Sequence, residues 1–198
     1  MVKDGYYFLL PLLGLGMAAL VPGWRVLALL FFFLAAFVGF FFRDPERRIP
    51  EDPNAILSPA DGKIIRLVAT DGGTLVSIFL SIFDVHVNRA PINGEVVRLD
   101  HRCGRFRAAF DERASVENER LEMMLQGENE LTFRLIAGLV ARRIVAWKKK
   151  GDWVRRGDRI GLIRFGSRVD ILIPPGCRLN VKKADRVRGG SSIIAYWR

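Results

Sequence analysis

The stretches "SPADGKIIRL" (residues 58–67) and "APINGEVVRL" (residues 90–99) follow one pattern: a small residue, Pro, two variable positions, Gly, one variable position, two aliphatics, then Arg-Leu. A second pair, "DWVRRGDRIGLI" (152–163) and "DRVRGGSSIIAY" (185–196), reads Asp-x-Val-Arg-x-Gly-x-x-Ile in both copies. Each copy of this second pair has the form of a strand, a Gly turn and another strand. Glycine takes the positive φ of a tight turn at little cost, and short apolar runs between such turns are strand signals. A unit that recurs within one chain predicts related β elements packed on one another.

The expected fold is therefore mainly β. The spacing resembles the barrel-sandwich hybrid of biotinyl and lipoyl domains, a likeness of fold that says little about activity. The β domain is expected over residues 58–198, behind a polar, Pro-rich linker at 44–57. Within it, the middle stretch 106–129 is charged and less regular, and a strand can follow through "ELTFRLIAGLVARRIVAW".

Residues 1–43 have a different character. No charged residue occurs from 5 to 24, Arg25 interrupts, and "VLALLFFFLAAFVGFFF" (26–42) is again uncharged. A bilayer span takes about 20 apolar residues, within roughly 17–25. The two runs sit at the short end of that range, and Pro22-Gly23 between them reads as a turn. A membrane-anchoring helical hairpin is expected, either crossing or only dipping in. Lys3 before it and Arg43, Arg47 and Arg48 after it place both ends on the cytoplasmic face by the positive-inside rule. The net charge of +10 fits an anionic membrane surface. Nucleic acid is not the expected partner, because the basic residues are scattered along strand-like segments. Cys103 and Cys177 make no disulfide framework and read as free thiols. No metal site is expected.

Two Gly-Ser steps, Gly166-Ser167 and Gly190-Ser191, are places where a chain can attack its own backbone. Gly190-Ser191 falls where the earlier repeat has Gly157-Asp158, so it reads as an ordinary turn. Gly166-Ser167 has no such duty and interrupts two strand-like runs, as a β-bulge or as a site of chemistry. In "TLVSIFLSIFDVHVNRAP" (74–91), alternation puts Val76, Ile78, Leu80 and Ile82 on one face. If the strand continues, Asp84, His86 and Asn88 follow on that face, as at the rim of a pocket. His86 is either a catalytic group or a hydrogen-bonded histidine at a strand end. Asp61, in an Asp-Gly pair, is either functional or a turn former. His101 lies in a basic run and reads as solvated.

"SPADGKI", "SIFDVHVNRAP" and "RFGSRVD" with its following Pro-Pro-Gly occur in this order behind an apolar anchor and "FFRDPER". Together they resemble the phosphatidylserine decarboxylases in their short bacterial form, from about Phe41 to the C-terminus. The resemblance implies that Gly166-Ser167 is the self-cleavage site and that Ser191 is not. It implies attack of Ser167 Oγ on the Gly166 carbonyl, an acyl shift to an ester, and elimination. Chains 1–166 and 167–198 result, the second headed by a pyruvoyl group derived from Ser167 that forms a Schiff base with the substrate amine. His86 matches the histidine tied to decarboxylation and Asp61 the aspartate of the processing triad. Longer members carry a second histidine where this chain has Arg89, so the triad does not transfer intact. A serine hydroxyl needs a nearby base, and a histidine titrates near neutrality.

The implied reaction turns phosphatidylserine into phosphatidylethanolamine. A relative acting on archaetidylserine is the alternative within the class. Arg89, Arg142, Arg143 and Arg168 are candidates for the head group. Outside the class stands a membrane-anchored carrier or adaptor, although Lys63, leading straight into a strand, makes a poor attachment lysine. A homo-oligomer remains open.

Overall fold

A computed structural model describes residues 1–104, 118–138, 144–164 and 167–198. The chain divides into two compact units, Met1–Glu46 and Arg47–Arg198. The first holds α1 (Lys3–Leu20) and α2 (Arg25–Phe41), with Gly23 at φ +79° in the turn between them. Gly16 of α1 lies against the Phe32 ring, and the Val2 N–H donates to the Phe42 carbonyl at 3.0 Å, so the helices run back along each other. Among the described residues no helix is long and apolar enough to cross a membrane.

The second unit is built of strands: β1 (Ala55–Leu57), β2 (Gly62–Thr70), β3 (Gly73–Leu80), β4 (Val87–Arg89), β5 (Gly94–Arg102), β6 (Arg120–Gln126) and β7 (Glu130–Ala137). These are followed by β8 (Ile144–Ala146), β9 (Trp153–Val154), β10 (Arg159–Ile163), β11 (Ser167–Ile173), β12 (Arg178–Leu179), β13 (Arg186–Val187) and β14 (Ile193–Tyr196). An eight-stranded antiparallel sheet has the order β13-β2-β3-β11-β7-β6-β5-β9, and two three-stranded sheets have the orders β1-β14-β12 and β4-β10-β8. Side chains from all three sheets share one core, including Ile56, Ile78, Leu80, Phe133, Ile160, Val169 and Ile194. The stretch expected as a linker thus contains a strand, and the less regular middle stretch supplies β6.

The sequence repeats are a pseudo-twofold axis in space. Val187 pairs with Gly62 as Val154 pairs with Gly94. A register shift between Ile64 and Arg66 is matched by one between Val96 and Arg98. The two bulges bend equivalent strands and curl the sheet. The halves are also clasped reciprocally: Leu57 N–H donates to Pro91 C=O at 3.0 Å, and Arg89 N–H donates to Pro59 C=O at 2.9 Å. At the centre of the large sheet the axis passes between Ile171 of β11 and Phe133 of β7, which face each other.

The turn glycines act as the repeats imply. Gly157 and Gly190 lie at φ +83° and +75°. Their N–H groups donate to Ala90 and Ser58 carbonyls at 2.9 and 2.8 Å. A Cβ on Gly190 would also meet Arg89 Cδ at 2.8 Å. A left-handed conformation costs a non-glycine residue about 1–2 kcal/mol. Gly190→Ala should therefore lower the unfolding free energy by about that amount or more, read as a fall in Tm, whereas Gly72→Ala, with no positive φ, should not.

Candidate active site

β10 ends at Ile163 and β11 begins at Ser167, so Ser167 is the first residue of a strand bonded on both sides. It faces Leu80 of β3 and Ala137 of β7. Gly166, its expected cleavage partner, lies outside the described residues. Side chains alternate along a strand, which puts Ser167 on the face of Val169, Ile171 and Ile173, all in the core. Ser167 is fully buried and its Oγ has no hydrogen-bond partner among the described residues. Ser77 Oγ shares that condition, so an unpaired hydroxyl alone marks nothing. Ser167 differs in heading the central strand β11, where it pairs with Leu80, the last residue of β3.

The expected continuous strand through His86 does not form. Ser81 N–H and Oγ–H both donate to Asp84 Oδ2, at 2.8 and 2.7 Å, and Asp84 N–H donates to the Ser81 carbonyl at 3.0 Å. This local side-chain turn outcompetes the ladder and ends β3 at Leu80. Val76, Ile78 and Leu80 are buried as expected, but Ile82 is 42% exposed. His86 instead comes in along a loop, just before β4. Its carbonyl accepts from Ile163 N–H at 3.3 Å. Ile163, the end of β10, is thus bonded to His86, and Ser167, the start of β11, pairs with Leu80 at the end of β3. His86 is fully buried, and its Nδ1 sits 3.0 Å from the Asp84 carbonyl. A carbonyl only accepts, so Nδ1 carries the proton and a neutral ring has its lone pair on Nε2.

Asp61 reaches neither residue through a hydrogen bond. Its carboxylate takes Arg47 Nη2 at 2.8 and 3.0 Å and Gly189 N–H at 2.8 Å. Register places Gly62 and Ser167 on either side of β3, about 10 Å apart in backbone. Burial pushes the Asp61 carboxyl above its ordinary range, with the Gly189 N–H and Arg47 opposing that rise. The sequence reading took Arg47 only as a charge flanking the hairpin. No local pattern links residues 47 and 61. The other serine is in a turn: Ser191 and Ser192 N–H both donate to the Arg188 carbonyl, at 3.1 and 2.9 Å.

Two head-group candidates are committed elsewhere. Arg168 is on the opposite face from Ser167 and binds Asp170 through two hydrogen bonds, at 2.6 and 2.8 Å, with both side chains 2% exposed. Breaking a buried pair costs about 3–5 kcal/mol, while an exposed ion pair returns about 1 kcal/mol at most. Arg168 therefore stays with Asp170. Arg89 donates to the Gly157 carbonyl at 3.0 Å and packs beneath Gly190, bracing the two repeat turns. Arg142 and Arg143 lie outside the described residues. Cys103 and Cys177 are free thiols, as expected, and burial pushes Cys177 up.

The pseudo-twofold axis supplies an internal comparison. Ser167 lies four residues before Ile171, and Asn129 lies four before its facing partner Phe133. His86 precedes Arg89 by three residues, as Asn54 precedes Leu57. Asn93 stands at the place of Asp61, and its Oδ1 accepts Arg156 N–H at 2.8 Å, as Asp61 accepts Gly189 N–H. Asn54, Asn93 and Asn129 line one cavity of about 330 Å³ with Trp153, Arg156 and Trp197. One backbone frame therefore occurs twice. In one half it holds a hydroxyl, a carboxylate and an imidazole; in the other it holds three amides, which neither donate protons to a leaving group nor act as bases near neutral pH.

Arg47→Gln removes the guanidinium that opposes the rise of the Asp61 pKa, so Asp61 should titrate at higher pH by NMR. An acid whose folded pKa lies above its unfolded value stabilises the fold at low pH and loses that contribution as pH rises through the folded value. The variant should therefore lose about 1–3 kcal/mol near neutral pH and less in acid, measured by denaturant unfolding at both.

Comparison with known proteins identifies the family. The family model for phosphatidylserine decarboxylase matches residues 34–195. A phosphatidylserine decarboxylase proenzyme from Solibacter usitatus is 43% identical over 198 residues, covering 98% of this chain and 95% of the relative. One from Chlorobaculum parvum is 43% identical over 182 residues, covering 88% and 85%. A relative from Methanopyrus kandleri, provisionally named an archaetidylserine decarboxylase proenzyme, is 41% identical over 210 residues and covers 98% of each chain. With the motifs, the fold and these matches in agreement, the chain belongs to the phosphatidylserine decarboxylase family.

Proposed function

We propose that this chain is a proenzyme that cleaves itself between Gly166 and Ser167 and then decarboxylates phosphatidylserine to phosphatidylethanolamine through a pyruvoyl group made from Ser167. The observation that carries this reading is the position of Ser167: a buried hydroxyl, without a hydrogen-bond partner among the described residues, at the head of the central strand and paired with Leu80, where the chain leaves β3 toward His86. Action on archaetidylserine is the second reading, supported by the Methanopyrus kandleri relative. Both lipids present a serine head.

The site residues fit that chemistry. Among the described residues Ser167 Oγ has no hydrogen bond to give up before attacking the Gly166 carbonyl. In this reading His86, with Nδ1–H fixed on the Asp84 carbonyl, takes the Oγ proton through Nε2 and later the Ser167 α-proton in the elimination. Asp61, held on Arg47 and Gly189 N–H, acts on this centre as a fixed charge that secures the 188–192 turn. When formed, the pyruvoyl carbonyl would supply the electron sink for the charge left at Cα as carbon dioxide departs. After cleavage, residues 167–198 keep β11 bonded to β3 and β7, and β14 bonded to β1. The reactive end therefore stays in the core without a covalent link to the large chain.

The barrel-sandwich-hybrid likeness extends the fold reading: two strand–turn–strand halves face each other across an axis. The hairpin belongs to the same proposal. α1 and α2 are apolar around most of their surface, with Leu10, Leu15, Met17, Leu29 and Phe33 exposed. Among the described residues neither helix is long and apolar enough to cross, which fits a hairpin that enters the cytoplasmic leaflet and returns, holding the domain where its substrate lies.

Mass spectrometry of the purified wild type should show a small chain of 32 residues, blocked at its N-terminus, rather than one of 8 starting at Ser191. Ser167→Ala should stay whole and inactive, while Ser191→Ala should mature. His86→Ala should lose decarboxylation by about 10²-fold or more, the usual contribution of a positioned acid–base group, read by release of carbon dioxide. A His86→Ala protein that decarboxylates at the wild-type rate would confine His86 to a structural role.

A further inference from the structure

The turn that ends β3 has a feature the proposed chemistry does not use. Ile82 and Phe83 at its tip are 42% and 65% exposed. Among the described residues of the second unit, the other exposed large hydrophobics are Trp153 and Leu179, each isolated in sequence. Ile82 and Phe83 are adjacent and are held outward. The Asp84 carboxylate staples the turn through Ser81 N–H and Oγ–H. Two cations stand at its base: Arg186, 73% exposed and 3.3 Å from Asp84 Oδ1, and the exposed Lys63 that pairs with Arg186 across β2 and β13.

The fold itself does not demand an apolar tip there. At the corresponding end of β6, across the pseudo-twofold axis, the chain turns through Gly127, Glu128 and Asn129. The two ends of the sheet differ in what they lie beside. The apolar tip is flanked by Leu80, which faces Ser167, and by His86; the polar tip is beside the three-amide cavity.

We infer that the 81–84 turn is an interfacial anchor: Ile82 and Phe83 enter the acyl boundary of an anionic phospholipid leaflet while Arg186 and Lys63 meet its head groups, opening the Ser167 site toward the lipid. An apolar tip with cations at its base is the pattern that partitions into an anionic interface, and the chain's net charge of +10 has the matching sign. This surface is separate from the hairpin, which holds the chain near the membrane; the turn sets which end of the β unit faces it. The inference rests on the proposed action on phospholipid, and its test reads position apart from turnover.

In the full chain with Cys103→Ser and Cys177→Ser, an environment-sensitive fluorophore is placed at Phe83→Cys or, as a reference, at Glu128→Cys. Vesicles of phosphatidylcholine with phosphatidylglycerol contain no substrate, so no reaction disturbs the signal. The Phe83 label should brighten severalfold, shift to the blue and be quenched by shallow lipid-borne quenchers, while the Glu128 label should not. The double variant Ile82→Ser, Phe83→Ser should lower the ratio of turnover on bilayer phosphatidylserine to turnover on a monomeric short-chain analogue by about tenfold. A Phe83 label that reports water as the Glu128 label does, or an unchanged ratio, overturns the inference. A brightening that needs no vesicles and grows with protein concentration overturns it too, by assigning the turn to a second copy of the chain. Label entry into vesicles by a protein that decarboxylates nothing supports the anchor while removing the enzymatic reading.

Discussion

Two reciprocal backbone hydrogen bonds, Leu57 N–H to Pro91 C=O and Arg89 N–H to Pro59 C=O, hold the β unit in register with itself. Pro59 and Pro91 have no N–H to offer, so at each crossing the proline accepts and the facing strand donates. The same geometry sends Gly157 and Gly190 to the Ala90 and Ser58 carbonyls just beyond. With these crossings set, β2 and β5 start at equivalent places, bulge at equivalent places and bring β11 and β7 together at the axis. Arg89 braces this clasp through its bond to the Gly157 carbonyl.

A symmetric frame does not make a symmetric protein. Asn54, Asn93 and Asn129 occupy the places of His86, Asp61 and Ser167, and amides cannot move protons as those three groups can. The backbone bond from Arg156 N–H to Asn93 repeats the bond from Gly189 N–H to Asp61, so the amide half keeps the scaffold contact without the charge. Under the proposed function, side-chain identity on a duplicated frame directs chemistry to one end of the sheet. The apolar tip of the 81–84 turn lies at that same end.

The proposed self-cleavage sets a mechanical requirement. A strand that loses its covalent link must be retained by noncovalent bonds, and β11 is well placed for that. It is central in the large sheet, bonded along its length to β3 and β7, and its Val169, Ile171 and Ile173 side chains are buried. An edge strand would have ladder bonds on one side only. Ser191, in a surface turn close to the C-terminus, would leave nothing comparable to hold a reactive end.

The sequence by itself determined the strand–turn units and the two apolar helices, and it favoured Ser167 over Ser191 for the proposed cleavage. These follow from local rules: turn glycines, the period of apolar residues, and the position of each Gly-Ser step within its repeat. It assigned His86 to the proposed chemistry through the resemblance and not through alternation, since the strand on which that alternation depended stops at Leu80. Only the tertiary structure decided where that strand ends, because the Ser81–Asp84 bonds compete with a ladder whose partner is distant in sequence. It alone paired Asp61 with Arg47, withdrew Arg168 into a buried bond with Asp170, and made Arg89 a brace. A charged side chain's partner is set by which strands become neighbours, and short-range pattern carries no record of that. The amide cavity was hidden for the same reason: Asn54, Asn93 and Asn129 look like ordinary turn residues until the axis brings them to one place.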